Sequence, residues 1–252
     1  MIVQIYEIQN PTEAEAVVAD GVDHVGSVVL SSRNWKDTAL RDTVRFVQAS
    51  GRISSLIPLF SDLDTLRRVI DFYRPDIVHF CEILPPPHRD RSILSRLQAL
   101  QNTIREDYPD IRIMRSIPIG RPGQADDEST LAIAARFEAI SDFFLTDTLL
   151  SSEANPSGVQ PVEGFVGITG KTCDWETART LVKTSRIPVI LAGGLSPENV
   201  RAGIRSVAPA GVDSCSATNA LGPDGRPQRF KKDPDRVAAF VARVRRLGAE
   251  AQ

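Results

Sequence analysis

The sequence predicts an α/β fold, a single (β/α)8 barrel. Eight short apolar runs alternate with amphipathic segments along the chain. Such alternation favours a parallel sheet, because parallel strands need a connection of helix length. The chain has 252 residues, and a closed barrel of this kind typically uses about 250 in one domain. A doubly wound sheet is the alternative, but the strand count and the length favour the barrel.

The predicted strands are short runs rich in β-branched or aromatic residues, as in a buried parallel sheet. They occupy residues 2–6, 24–30, 54–60, 76–80, 111–116, 142–147, 188–192 and 211–214. The final run carries the weakest strand signal of the eight, since it is short and contains two polar residues.

The helices between these strands have physical start signals. Asn10-Pro11-Thr12-Glu13 combines an N-cap residue, a proline at the first helical position and a glutamate three residues after the cap. The same device recurs at Ser196-Pro197 and at Asp233-Pro234. Apolar residues at helical spacing predict further helices over residues 41–48, 63–73, 93–104 and 237–244.

Two stretches are too loose to be ordinary connections between a strand and a helix. They lie at about 83–91, which contains three consecutive prolines, and at 149–166, which is rich in Ser, Gly and Pro. We expect both to be surface loops, because predicted strands continue on either side of each. Residues 1–252 are therefore expected to form one domain.

Composition excludes several classes of function. Thirty Lys and Arg residues against 32 Asp and Glu leave a net charge of −2, so no overall positive field attracts nucleic acid or anionic lipid. No apolar stretch has the roughly 18 residues of a membrane helix, and no signal peptide is visible. The three cysteines form no disulfide framework, which favours the cytoplasm. The three scattered histidines predict no metal site.

A local anion site is predicted at the carboxyl ends of the seventh and eighth strands, where barrels of this kind often hold a phosphate. Gly193 and Gly194 allow backbone N–H groups to approach an anion closely, and the following helix supplies more donors. Ser216 can donate its hydroxyl from the next strand. The alternative is that the two glycines only form a tight turn.

The C-terminal half contains four distinctive motifs: Gly-Ile-Thr-Gly-Lys-Thr-Cys-Asp-Trp at 167–175, Gly-Gly-Leu-Ser-Pro-Glu-Asn-Val at 193–200, Val-Asp-Ser-Cys-Ser at 212–216 and Lys-Asp-Pro at 232–234. Through these motifs it resembles the phosphoribosylanthranilate isomerase family of tryptophan biosynthesis. The N-terminal half matches more loosely, through the strand order, Asn-Pro at 10–11 and Ser-Ser-Arg at 31–33.

The resemblance implies an Amadori rearrangement of N-(5′-phosphoribosyl)anthranilate to a 1-amino-1-deoxyribulose phosphate. A general acid opens the furanose ring to an imine, and a general base then removes the proton from C2′. The resemblance implies no cofactor, because the substrate nitrogen serves as the electron sink. The expected partner is a small phosphorylated sugar, and the expected oligomeric state is a monomer or a homodimer.

The resemblance also assigns residues to roles. Asp147 matches the general acid, and apolar neighbours such as Phe143 and Phe144 can raise its pKa. Arg33 matches the arginine that holds the anthranilate carboxylate, and Asp213 matches an aspartate near the anthranilate ring. Each has a plain structural alternative: a strand-end cap for Asp147, a surface side chain for Arg33 and a buried strand residue for Asp213. The implied phosphate-binding residues are Gly170, Gly193, Gly194, Ser216 and Ala217.

The sequence departs from the family at the general base. Tyr6 stands where the family has its catalytic cysteine, and an unperturbed tyrosine is a poor base at neutral pH. Glu7 is the neighbouring candidate, but a step of one residue along a strand reverses the side-chain direction, so Glu7 would need a bulge. Cys81, after the fourth strand, is a third candidate, although a small buried cysteine is the simpler interpretation.

Further departures lie in the phosphate loops, where Ala217, Thr218 and Asn219 replace Gly-Val-Glu and Ile168 replaces a glycine. Two hypotheses follow. The first is an isomerase acting on phosphoribosylanthranilate with a rearranged base. The second is a divergent relative that binds another phosphorylated sugar or aryl amine with different chemistry or none. A non-enzymatic barrel would leave Asp147, Arg33 and the glycine pair as coincidences.

Overall fold

Eight parallel strands pair in chain order, and the eighth returns to the first, so the sheet closes into a barrel. The computed structural model describes residues 1–150 and 160–250, with side chains up to residue 247. At the closure Ile5 lies opposite Ser214. The predicted (β/α)8 barrel is confirmed. The strands are β1 (Ile2–Ile5), β2 (His24–Val29), β3 (Ile53–Pro58), β4 (Ile77–Phe80), β5 (Arg112–Gly120), β6 (Phe143–Leu149), β7 (Val189–Leu191) and β8 (Gly211–Ser214).

A helix follows each strand and covers the outside of the barrel. The helices are α1 (Pro11–Ala19), α2 (Thr38–Ala49), α3 (Leu63–Tyr73), α4 (Arg91–Asp107), α5 (Asp127–Phe137), α6 (Trp175–Thr184), α7 (Val200–Val207) and α8 (Pro234–Glu250). The Asn10 side chain accepts a hydrogen bond from Glu13 N, and Asp233 accepts from the N–H groups of Asp235 and Arg236. The predicted caps of α1 and α8 are therefore confirmed.

The predicted start of α7 at Ser196 is wrong. Residues after Ser196 form a turn, and the helix begins at Val200. The reason is a local hydrogen-bond ring: Ser196 N donates to Asn199 Oδ1 (2.8 Å), and Asn199 Nδ2 donates to Gly194 O (3.0 Å). The Asn199 side chain thus joins the turn to the Gly-Gly loop.

An antiparallel hairpin between β8 and α8 was not predicted. Its strands are β9 (Asn219–Leu221) and β10 (Pro227–Lys232). The signal was available, because Gly-Pro-Asp-Gly at 222–225 is typical of a tight turn. A short 3-10 helix, Ser216–Thr218, connects β8 to this hairpin.

The outward faces of the strands pack against the helices in apolar clusters. Around β1 and β8, Val3 and Ile5 pack with Val237 and Phe240 of α8. The barrel interior, in contrast, carries hydrogen-bonded polar side chains, as buried polar groups require. One interior layer contains Gln4, His24 and Asp213, and the next contains Tyr6, Ser55, His79 and Ser116.

The loop at 83–90 connects β4 to α4. The second predicted loop, at 149–166, includes residues 151–159, which lie outside the described residues, and the single domain over 1–252 stays a prediction. None of the helices in the described part of the chain has the length and apolar character that a bilayer crossing requires.

Candidate active site

Two adjoining clefts open where the carboxyl ends of the strands meet. One, of about 340 Å³, lies over β6, β7 and β8, and the other, of about 490 Å³, extends towards β1, β3 and β4. Asp147, Ile168, Asp213 and Cys215 line both of them. Groups from distant parts of the sequence therefore surround one connected space.

The first cleft contains every residue predicted to bind phosphate. Its wall includes Gly170, Gly193, Gly194, Ser216 and Ala217. Three loops contribute them: those after β6, β7 and β8. Ser216 also begins a short 3-10 helix, and the N–H groups at such a start point outward without a partner in the helix.

The backbone of the Gly-Gly loop explains why glycine stands at both positions. Gly193 and Gly194 have φ values of 91° and 57°, which residues with a Cβ rarely adopt. A Cβ at Gly193 would meet Thr148 Oγ1, and one at Gly194 would lie 2.5 Å from the carbonyl carbon of Lys171. Thr148 Oγ1 in turn donates to Lys171 O (2.7 Å). Close packing of two loops therefore shapes this wall.

Asp147 lies on β6 and reaches into both clefts. Its Oδ1 accepts a hydrogen bond from Thr148 N (2.8 Å), and Gly167 packs against Oδ2 so closely that a side chain at 167 would overlap it. Burial raises the pKa of Asp147 to about 7. The carboxyl group can thus hold a proton near neutral pH, as its apolar neighbours in the sequence predict.

Asp213 lies on β8, buried opposite Gln4 of β1. Gln4 Nε2 donates to Asp213 Oδ1 (3.1 Å), and Gln4 Oε1 lies 3.2 Å from His24 Nδ1. Burial, chiefly, and then the nearby Asp147 charge raise the pKa of Asp213 to about 8, against the Gln4 hydrogen bond. Burial lowers the pKa of His24 to about 4, so His24 is neutral and its Nδ1–H can donate to Gln4.

Tyr6, which the resemblance predicts to stand at the position of the family's cysteine, lines the second cleft and directs its hydroxyl into a buried network. The hydroxyl lies 2.6 Å from Ser55 Oγ and 2.7 Å from His79 Nδ1, and His79 Nε2 lies 2.8 Å from Ser116 Oγ. Burial raises the pKa of Tyr6 well above its usual value and lowers the pKa of His79 to about 3. Both groups are neutral near pH 7.

A glycine on the neighbouring strand makes room for this tyrosine. A Cβ atom at Gly26 of β2 would overlap the Tyr6 ring. We expect Gly26→Ala to destabilise the fold by about 1–3 kcal/mol, the usual cost of overpacking a core. Urea unfolding measures this cost. In a Tyr6→Cys background the ring is absent and the same substitution should cost much less; an equal cost in both backgrounds would refute the clash.

Glu7 has the backbone irregularity that its sequence position required, with a φ of 66°. Its buried carboxylate accepts from Arg229 Nε (2.6 Å), Asn219 Nδ2 (3.1 Å) and Phe230 N (3.4 Å). Glu7 also lines the second cleft. Its present contacts attach the β9–β10 hairpin to the end of β1.

Cys81 and Cys215 both line the second cleft. Burial raises the pKa of each thiol, and Lys232 opposes this at Cys215. Neither Cys215 nor Lys232 was predicted to be a site residue. The Lys232 ammonium donates to Cys215 O (2.9 Å) and to Asn219 Oδ1, which fixes the backbone next to Ser216. The Lys-Asp-Pro motif was the available signal for Lys232.

Arg33 is exposed on the loop between β2 and α2 and is not among the described residues that line either cleft. Its hydrogen bond there uses only its backbone, whose N–H donates to Ser31 Oγ (3.1 Å). The structure therefore leaves Arg33 apart from the other predicted site residues.

Within the described ranges, no group of three His, Cys, Asp or Glu side chains is arranged to hold a metal ion.

Comparison with known proteins identifies a family for this chain. A sequence model of the N-(5′-phosphoribosyl)anthranilate (PRA) isomerase family matches residues 98–242, more than half of the chain. A Methanosarcina acetivorans N-(5′-phosphoribosyl)anthranilate isomerase is 27% identical over 248 residues, covering 96% of this chain and 92% of the relative. The Haloferax volcanii enzyme of the same name is 40% identical over 116 residues, 46% of this chain and 44% of the relative.

Solved structures show the same fold. Phosphoribosyl anthranilate isomerase from Thermotoga maritima superposes with a TM-score of 0.68 at 22% identity, covering 97% of this chain and 99% of that one. A phosphoribosyl anthranilate isomerase in complex with reduced 1-(o-carboxyphenylamino)-1-deoxyribulose 5-phosphate has a TM-score of 0.66 at 20% identity, with coverage of 97% and 99%. From the family match over residues 98–242, the chain belongs to the N-(5′-phosphoribosyl)anthranilate isomerase family.

Proposed function

We propose that this chain catalyses the Amadori rearrangement of N-(5′-phosphoribosyl)anthranilate to 1-(o-carboxyphenylamino)-1-deoxyribulose 5-phosphate. The observation that carries the proposal is that Asp147 lines the same cleft as the five predicted phosphate-binding residues. A group able to protonate the substrate thus lies beside a group of N–H donors suited to its phosphate. Membership of the isomerase family supports this substrate.

The phosphate is held at the first cleft in this proposal. Backbone N–H groups around Gly193 and Gly194 and the start of the 3-10 helix at Ser216 donate to its oxygens. Such donors hold an anion without a basic surface, which agrees with the net charge of −2. The Lys232 ammonium donates a hydrogen bond to Cys215 O and so holds the backbone next to Ser216 in place.

Asp147 acts as the general acid. In its protonated form it donates to the furanose ring oxygen, and the ring opens as the exocyclic nitrogen forms the imine. The raised pKa keeps this proton available near neutral pH. The later step needs a base but no cofactor, because the substrate nitrogen accepts the electron pair released at C2′.

The proposal is tested by turnover. Purified protein is mixed with N-(5′-phosphoribosyl)anthranilate, and the ketose product is followed by mass spectrometry. Expression in a tryptophan auxotroph that lacks this isomerase should restore growth, and Asp147→Asn should abolish it. Binding of the reduced product analogue without turnover would favour the second hypothesis, a divergent relative without this activity. Growth that persists with Asp147→Asn would contradict the proposed acid.

The Gly-Gly loop offers a test of phosphate binding. Gly194→Ala introduces a Cβ that cannot fit against the Lys171 backbone, so the two loops must separate and the donors lose their alignment. We expect KM to rise at least about tenfold, the equivalent of roughly 1.4 kcal/mol of lost binding. Gly225→Ala is the matched control, since Gly225 also has a positive φ but lies in open space on the hairpin. An equal rise in KM in both variants would point to backbone strain rather than to lost phosphate contacts.

We place the reaction in the cytoplasm, because Cys81, Cys173 and Cys215 are all free thiols and a reducing compartment preserves them. The proposed partner is the phosphorylated substrate alone, without nucleic acid or membrane. The oligomeric state, a monomer or a homodimer, stays a prediction. The related Thermotoga maritima enzyme is dimeric. Sedimentation at assay concentration decides between them.

A further inference from the structure

We propose that Asp213, positioned by Gln4, is the general base that removes the C2′ proton, so that two carboxyl groups on β6 and β8 replace the family's pairing of a carboxyl group with a thiol. This inference rests on the proposed function and deepens it. The resemblance gave Asp213 only a place near the anthranilate ring. The interior of this barrel supports a chemical role.

The contacts of the other candidates weigh against them. Tyr6 lines the second cleft, but its hydroxyl is held by Ser55 and His79, and burial raises its pKa well above the usual value. The Glu7 carboxylate holds three donors of the β9–β10 hairpin, including the ion pair with Arg229. Moving Glu7 towards a substrate would leave the hairpin's donors without their acceptor.

The two thiols in the second cleft meet a different obstacle. A thiol is a base only as its thiolate. Burial raises the pKa of Cys81 and Cys215, and nearby carboxylates raise both further. Neither supplies an ionised sulfur near neutral pH. Among the described carboxyl groups that line these clefts, Asp147 and Asp213 are left without an ion pair. Since Asp147 is the proposed acid, Asp213 is the remaining carboxyl candidate for the base.

Asp213 has the fixed geometry that a base needs. It lines both clefts and stands on the strand next to β1, where the family places its base. Gln4 donates to one carboxylate oxygen, and His24 orients the Gln4 amide. The Gln4 N–H favours the ionised form of Asp213, which is the form that accepts a proton.

Asp147 and Asp213 behave as a coupled pair. Burial raises the pKa of both, and the charge of Asp147 raises that of Asp213. The two values, about 7 for Asp147 and about 8 for Asp213, mean that near neutral pH the pair holds at least one proton and that Asp213 binds it more tightly in the free protein. The proposed reaction uses the state in which Asp147 is protonated and Asp213 is ionised, and the Gln4 N–H supports that state.

The proton-removal step balances within the substrate and Asp213. The carboxylate oxygen forms an O–H bond with the hydrogen on C2′. The C2′–H electron pair becomes the C1′=C2′ double bond, and the C=N π electrons return to the positively charged nitrogen. The product is the neutral enolamine, which tautomerises to the ketone. No oxidant, reductant or metal enters the balance.

The test compares Asp213→Asn with Tyr6→Phe, Cys81→Ser and Cys215→Ser in the full-length protein. We expect Asp213→Asn to lower kcat about 10³-fold, within the usual range for a lost general base, while affinity for the reduced product analogue changes less than about threefold. The other three variants should keep kcat within about threefold. Asp213→Glu should recover part of the rate.

Gln4→Met tests the positioning role. Losing the N–H donor disfavours the ionised form of Asp213, so the kcat/KM profile should shift to higher pH, which a merely structural change would not produce. The other charged groups that act on Asp213 are Asp147 of β6 and Lys232 of β10, and both remain unchanged.

The outcomes separate the two proposals. If the unaltered protein turns over the substrate and Asp213→Asn does too, Asp213 is not the base, although the proposed function stands. Loss of turnover in Cys215→Ser or Cys81→Ser alone would assign a thiol instead. Loss of analogue binding together with kcat in Asp213→Asn would show a binding role. If the unaltered protein has no turnover, the function and this inference both fail.

Discussion

Asp147→Asn is expected to lower kcat for N-(5′-phosphoribosyl)anthranilate by about 10³-fold or more, the scale of a lost general acid. The amide keeps the shape of the side chain and its hydrogen bond from Thr148 N, but it has no proton of comparable acidity to donate to the ring oxygen. Steady-state kinetics across pH 5–9 measures the effect. Asp110→Asn, an exposed change of the same chemistry, is the matched control.

The direction in which the rate changes with pH follows from the pKa of Asp147. Asp147 is active when protonated, and its pKa is raised to about 7, so the rate that depends on it should fall as pH rises through about 7. The remaining activity of Asp147→Asn should lack that decline. A variant that keeps the decline would place the titrating acid elsewhere.

Stability distinguishes lost chemistry from lost folding. The pKa of Asp147 is higher in the folded protein, about 7, than the ordinary value of about 3.9 in an unfolded chain. The folded state therefore binds a proton that the unfolded state has released, and stability declines as pH rises from about 4 to 7. An asparagine at position 147 does not titrate, so it causes no such loss of stability. At pH 8 the melting temperature of Asp147→Asn should equal or exceed that of the unaltered protein.

Arg115→Met is expected to destabilise the fold by about 3–5 kcal/mol, the usual cost of leaving one member of a buried ion pair without its partner. Arg115 of β5 has no solvent-exposed surface, and its Nη1 lies 2.7 Å from Glu82 Oε2. Its Nε donates to Gln101 Oε1 (2.7 Å). Methionine fills much of the same volume beside Phe80 and Phe137, so the effect should come mainly from the charge left on Glu82.

A double substitution tests that cause. In Arg115→Met/Glu82→Gln no buried charge is left alone, and the amide can still accept from Ser61. We expect most of the lost stability to return in urea unfolding. Arg186→Met removes a largely exposed arginine from its pair with Glu138 and should cost far less. If the double variant is no more stable than Arg115→Met, lost packing rather than the unpaired charge is responsible.

Local patterns in the sequence were sufficient for much of the fold. Each strand run was recognisable from a few neighbouring residues, and the caps Asn10 and Asp233 act within three residues of their own positions. The shape of the loop at Gly193 and Gly194 was also predictable, because two glycines in a row permit positive φ values. The start of α7 was missed because the Asn199 side chain competes with the helix for backbone partners.

The candidate site depended on contacts between distant residues. Gln4 meets Asp213 across 209 positions, and Arg229 meets Glu7 across 222. No pattern near Glu7 indicates that its carboxylate is occupied by a hairpin on the far side of β8. Likewise, nothing near Tyr6 indicates that its hydroxyl reaches Ser55 and His79.

The sequence by itself determined the barrel and predicted the loops and the Asp147 carboxyl group of the proposed site, because periodicity, caps and motifs act over short stretches of chain. Only the tertiary structure decided which groups can titrate and which are engaged. Proton affinity depends on burial and on neighbouring charges, and the closed barrel brings these together from separate strands. The tyrosine at position 6 was visible in the sequence; the contact of Gln4 with Asp213 became visible only once β8 had closed against β1.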